Sequence, residues 1–161
     1  MKVAIVIGSD SDWPIMKPAV EILKQFDIAS EVVVASAHRT PAKVRDFVLS
    51  APEHGIGAFI SAAGMAAHLG GVIASYTTLP VIGVPINATS LNGMDALLST
   101  VQMPPGIPVA TMAINGAKNA ALFAVEIFAV ANADLQKKLQ AYREKLAAEV
   151  DKKAAHVAAQ L

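Results

Sequence analysis

His38 and Arg39 stand side by side in the run Ser36-Ala37-His38-Arg39-Thr40-Pro41, with hydroxyls on either side. An imidazole moves protons near neutral pH. A guanidinium beside a serine holds a phosphate in its planar fork, with the hydroxyl as an added donor. Proton transfer and anion binding are therefore both available within one hexapeptide. Three further polar islands interrupt apolar sequence: Gly8-Ser9-Asp10-Ser11-Asp12, Ala63-Gly64-Met65-Ala66-Ala67-His68 and Asn87-Ala88-Thr89-Ser90-Leu91-Asn92-Gly93. Gly8 permits a tight turn, and a helix start after it presents free N–H groups to an anion. The small residues from Ala62 to Ala67 let a ligand approach the backbone closely, and His68 is a second candidate site histidine. For both histidines the competing reading is a side chain satisfied by turn backbone.

Each island follows a short apolar run: Val3–Ile7, Val32–Ala35, Ala58–Ile60 and Val81–Ile86. Buried parallel strands read this way, and the loops beyond their carboxyl ends carry the sites of open α/β sheets. The predicted strands are Lys2–Gly8, Val32–Ala35, Ala58–Ser61, Val81–Val84 and Val109–Ile114. Between them the apolar spacing predicts helices. The first is capped by Ser11 or Asp12 and runs to about Phe26, with Pro14 in its first turn and Pro18 forcing a kink or a later start. The second opens at Pro41, points Val44, Phe47, Val48 and Leu49 inward and stops at His54-Gly55. Others are expected around His68–Tyr76, over Asn92–Gln102 and over Asn119–Ala131. A last, charged helix is expected over Ala133–Leu161, with Leu135, Leu139, Tyr142, Leu146 and Val150 at helical spacing. Met103–Pro108 reads as a loop. Alternating strands and helices make a parallel sheet with right-handed crossovers, and five strands suggest the flavodoxin-like order 2-1-3-4-5 in an α/β three-layer fold. Residues 1–161 are expected to form a single domain, with 133–161 as a C-terminal helical extension.

Several chemistries lack their residues. The first island has neither the later glycines of a dinucleotide fingerprint nor the Gly-Lys-Ser/Thr of a P-loop. Ser61-Ala62-Ala63 stands where a phospho-acceptor fold needs an aspartate after the third strand. No Gly-x-Ser-x-Gly elbow is present. The 4 scattered histidines and the lack of any cysteine offer no metal site, disulfide framework or thiol nucleophile.

The chain is 54% apolar and 16% charged, against roughly 45–50% and about 25% in ordinary soluble domains. No apolar stretch is long enough to span a membrane. The excess is therefore expected to form a subunit interface. The balance of 13 basic and 13 acidic residues argues against non-specific nucleic-acid binding. Met1-Lys2-Val3 leads straight into a strand, so no signal peptide and a cytoplasmic location are expected.

Taken together, Gly-Ser-Asp-Ser-Asp-Trp at 8–13, Ser-Ala-His-Arg-Thr-Pro at 36–41, Ala-Ala-His-Leu at 66–69, Gly-Val-Pro at 83–85 and Val-Gln-Met-Pro at 101–104 resemble the bacterial PurE-type N5-carboxyaminoimidazole ribonucleotide mutases of purine biosynthesis. The resemblance runs in order to about residue 130. It implies a flavodoxin-like subunit in a homo-octamer, with no metal, ATP or organic cofactor. It implies a small ribonucleotide substrate whose carboxylate moves from the exocyclic nitrogen to ring carbon C4, and functional coupling to the ATP-dependent synthetase that makes that substrate. His38 would be the general acid/base. Ser9 and Asp12 would bind substrate, Asp12 through ribose hydroxyls. Ser36 and Arg39 would hold the 5′-phosphate. Gly64, Met65 and Ala66 would line the carboxylate end through backbone N–H groups, with His68 nearby. Met65 and Gly70 depart from the glycine and proline usual in that turn; a positive φ at residue 65 would strain Met65. The alternatives are a direct CO2-dependent aminoimidazole ribonucleotide carboxylase and a non-catalytic nucleotide-binding module.

Overall fold

The computed structural model describes residues 1–160. Its parallel sheet has β1 Lys2–Ile7, β2 Ala29–Val34, β3 Ile56–Gly64, β4 Val81–Ile86 and β5 Ala110–Thr111, in the expected order β2-β1-β3-β4-β5. The helices are α1 Trp13–Gln25, α2 Pro41–Leu49, α3 Leu69–Tyr76, α4 Met94–Val101, α5 Ala117–Ala129 and α6 Ala133–Ala158. The chain forms two compact units, 1–124 and 125–161, dividing within α5. The expected last residue of α6, Leu161, lies outside the described residues.

The central strands are apolar on both faces because both faces are covered, which is the reason their sequences run continuously rather than alternating. Val3 to Ile7 and Val81 to Ile86 are wholly buried. Successive side chains point to opposite faces. Thus Ala4, Val6 and Phe59 share a face, packed with Val44 and Val48 of α2 and Leu69 and Ile73 of α3. Phe47 meets Phe59 edge to face, with centroids 6.3 Å apart. β2 is an edge strand and is only half-covered, leaving Val32 and Val34 exposed.

Several boundaries differ from expectation for identifiable reasons. β3 extends through the small residues Ala62, Ala63 and Gly64, which pair with Val84, Pro85 and Ile86; sheet pairing overrides their turn-like composition. β5 is cut to two residues. Pro85 presents its carbonyl to the β5 side, where Asn115 N–H donates to it at 2.8 Å, but has no N–H to return. β2 begins at Ala29 rather than Val32. Asp12 holds the N-cap position of α1 but makes no side-chain cap there; the side-chain cap is made one turn earlier, by Ser9 on a 3-10 segment at Asp10–Asp12. Pro18 lies within a continuous α1; so near the helix start its missing N–H frees a single first-turn carbonyl. α2 stops at Leu49, whose side chain is 58% exposed rather than inward. The turn to β3 then closes at Gly55, with φ 68°.

In the second unit, Asn132 caps α6 by accepting from Asp134 N–H and Leu135 N–H at 3.1 Å each. Arg143 pairs with Glu126 at 2.7 Å. No described helix is long and apolar enough to cross a membrane.

Candidate active site

β1 has β2 on one side and β3 on the other, so the chain reverses its winding direction beside β1. A crevice opens at such a point, outside the carboxyl ends of the strands. Here it is a cleft of about 470 Å³. Ser9 and Asp12 enter it from the turn after β1, Ser36, His38 and Arg39 from the turn after β2, and Gly64, Met65, Ala66 and His68 from the end of β3 onward. All nine residues that the resemblance assigned a site role thus line one cavity.

The first wall is built by a reciprocal cap. Asp12 Oδ2 accepts from Ser9 N–H at 3.1 Å, while Ser9 Oγ accepts from Ser11 N–H at 3.3 Å. Asp12 is only 5% exposed. Burial pushes its carboxyl above the ordinary carboxylate value, against opposing hydrogen bonds from Ser9 and Ser11 and the Arg39 charge.

The second wall is wound tightly on Ser36. Thr40 Oγ1 accepts from Ser36 N–H at 2.9 Å, and Ser36 Oγ accepts from Arg39 N–H at 3.2 Å. Pro41 then starts α2 where a missing N–H costs nothing. The Arg39 guanidinium reaches across to the first wall, donating from Nη2 to the Gly8 carbonyl at 2.9 Å and from Nε to Ser36 Oγ at 3.4 Å. A smaller hollow of about 290 Å³ adjoins the cleft and shares Gly8, Ser9, Ser36 and Arg39 with it. One cation and two serine hydroxyls thus face a space large enough for an anionic group.

The third wall brings His68, at the N-cap position of α3, against His38. His38 Nε2 lies 3.0 Å from His68 Nδ1, with the rings nearly perpendicular. Both are exposed to the cleft. Met65 has φ 56°, the left-handed value that strains a residue with a Cβ. Gly64 before it has no room for one: a Cβ there would lie 2.7 Å from that of Ala88.

One contributor escaped the sequence reading. The Gly8 carbonyl anchors Arg39, and backbone acceptors carry no residue-type signal. Ala88, from the fourth polar island, enters from the loop after β4, whereas no residue of the expected loop at Met103–Pro108 lines the cleft. His54 lies 3.3 Å from the Glu31 carboxylate, and His156 sits on α6. No group of three or more His, Asp or Glu that could hold a metal occurs among the described residues.

Parallel order 2-1-3-4-5, with a cleft at the reversal point and a histidine pair in its wall, defines a flavodoxin-like α/β protein with a small-molecule site. More narrowly, residues 2–149 match the AIR carboxylase family, and the chain belongs to that family. It is 54% identical over 143 residues to an N5-carboxyaminoimidazole ribonucleotide mutase of Pyrococcus abyssi, spanning 89% of this chain and 82% of the relative. A mutase of the same description from Thermotoga maritima is 50% identical over 153 residues, 95% of this chain and 90% of that one. Among solved structures, Treponema denticola PurE superimposes with a TM-score of 0.84 at 28% identity, covering 94% of each chain.

Proposed function

We propose that this chain is an N5-carboxyaminoimidazole ribonucleotide mutase of purine biosynthesis, with His38 as its general acid/base. The observation that carries the reading is the meeting of His38, Arg39, Ser9 and Asp12 in one cleft, in a chain half-identical to mutases along nearly its whole length.

The chemistry needs what the cleft contains. The carbamate of the substrate loses CO2 when its nitrogen takes up a proton. Ring carbon C4 then attacks the CO2, and a base removes the C4 proton to restore aromaticity. One histidine can deliver the proton and later accept one, so no net proton is consumed. His38, which lines the cleft, is assigned this work. Its Nε2 faces His68 Nδ1, so the hydrogen between them fixes which His38 nitrogen has a lone pair. Arg39, already oriented by the Gly8 carbonyl and Ser36, takes the 5′-phosphate with Ser36. Asp12, held by Ser9 N–H, accepts from ribose hydroxyls. Backbone N–H groups of Gly64, Met65 and Ala66 receive the carboxylate. A walled cleft keeps CO2 beside C4 and away from water.

The same reading makes the working form a cytoplasmic homo-octamer that receives its unstable substrate from the ATP-dependent synthetase. Support for assembly comes from α4, where Met94, Leu98 and Val101 repeat at helical spacing and remain about half exposed, with Leu91 just before them.

The test supplies N5-carboxyaminoimidazole ribonucleotide without bicarbonate or ATP and follows the C4-carboxylated product. Enzyme-dependent formation is expected. Product only from aminoimidazole ribonucleotide plus bicarbonate would replace the reading with direct carboxylation, and binding without either reaction would leave a binding module.

A further inference from the structure

Met65 occupies a conformation from which the isolated subunit gains nothing. Its φ of 56° places a Cβ where glycine alone is unstrained. Its side chain is 61% exposed, so burial does not offset that strain. The neighbours hold it there. Gly64 is paired in the sheet with Ile86, and a Cβ on it would lie 2.7 Å from that of Ala88, so the strand end has close neighbours on that side. On the other side Ala67 is buried and His68 N–H donates to the Ala66 carbonyl at 2.8 Å. Strain over-determined by its surroundings, in the wall of a cleft, points to a role in that cleft.

We propose that the Met65 side chain closes the cleft rim over bound substrate and retains the CO2 formed midway through the reaction. This rests on the carboxylate-transfer reading. In the first half-reaction the carbamate N–C bond breaks, its electron pair stays on nitrogen with the incoming proton, and neutral CO2 is set free. CO2 has no charge for Arg39 or a histidine to grip, so its retention is steric. It then either bonds to C4 or escapes to be hydrated to bicarbonate, leaving aminoimidazole ribonucleotide behind. A flexible, apolar thioether on the rim suits a lid that must fold over the ligand and withdraw for product release. Met65 therefore sets the ratio of transfer to escape.

The experiment measures both aminoimidazole ribonucleotide and the C4-carboxylated product from the N5-carboxylated substrate, with enzyme-free loss of CO2 subtracted. Wild type is compared with M65G, M65A and M65L. Truncation in M65G and M65A is expected to raise the escape-to-transfer ratio about tenfold, the scale of lost apolar contacts in a pocket. M65L, which restores apolar bulk, is expected to bring the ratio back toward wild type. M65G is also expected to melt about 2 °C higher as the φ strain is relieved. An unchanged ratio in both truncations overturns the proposal, whatever the melting temperature. A ratio in M65L as high as in M65A overturns the lid in favour of a backbone effect. No C4-carboxylated product from wild type contradicts the parent reading, and this one with it.

Discussion

The imidazoles of His38 and His68 meet nitrogen to nitrogen, Nε2 to Nδ1 at 3.0 Å, with their planes 82° apart. Such a bond exists only when one nitrogen donates and the other accepts, so the two rings share a single hydrogen. The tautomers of His38 and His68 are thereby coupled. His68→Phe keeps the ring volume and removes the nitrogen. It is predicted to lower kcat by about 100-fold, the usual worth of a correctly disposed acid/base, with little change in KM. His68→Asn, which can still donate or accept, is predicted to recover part of the loss. Steady-state kinetics of the two variants check this; an unaltered kcat in both would deny His68 its positioning role.

Arg39 is oriented before any ligand arrives, by the Gly8 carbonyl and the Ser36 hydroxyl. Arg39→Ala is predicted to raise KM by about 10–100-fold, as expected for a charged hydrogen bond worth about 1.5–3 kcal/mol. Arg39→Lys is predicted to recover little, because an ammonium cannot reproduce the planar fork. Affinity for the substrate, measured with and without its 5′-phosphate, locates the effect. Equal losses for both ligands in Arg39→Ala would place Arg39 elsewhere than on the phosphate.

Burial raises the Asp12 carboxyl above its ordinary value of 3.8. The folded protein then holds this proton more tightly than the unfolded chain does. Stability from this group is therefore greatest below the unfolded value, falls as pH rises from there through the raised folded value, and is constant above it. Asp12→Asn keeps an oxygen to accept from Ser9 N–H and removes the buried charge. Its melting temperature relative to wild type is predicted to climb with pH across that window and then level off, while KM rises through the lost ribose contact. A difference in melting temperature that does not vary with pH would contradict the assignment.

Leu98 projects from the middle of the apolar face of α4 and is 51% exposed. In an assembly that covers this face, Leu98→Glu places a charge in an apolar contact. Light scattering is predicted to give an oligomer for wild type and a markedly smaller mass for the variant. A monomeric wild type would instead remove the interface reading of the apolar surplus.

The sheet was legible because covered parallel strands cannot avoid continuous apolar sequence, and the polar islands were legible because little else interrupts those runs. Strand ends were less so. Ala62, Ala63 and Gly64 have turn-like composition, yet they lie in β3 because β4 pairs with them. The truncation of β5 depends on which side of β4 the Pro85 nitrogen faces, a fact of register rather than of local sequence. The site residues could be named singly from their islands. Their relations could not: the His38–His68 bond spans 30 positions and the Arg39–Gly8 bond 31, and each joins turns that the strand order brings together. The left-handed φ of Met65 was a condition the sequence could pose; the fold meets it.

Carboxylate transfer within a closed cleft is tested most directly by isotope. The substrate is labelled with 13C at its N5-carboxylate and turned over by wild type in excess unlabelled bicarbonate, with His38→Asn alongside. In this mechanism the label is retained in the C4-carboxylated product of wild type, and His38→Asn binds substrate but forms almost no product. Label diluted into the bicarbonate pool, or full turnover without His38, would contradict it.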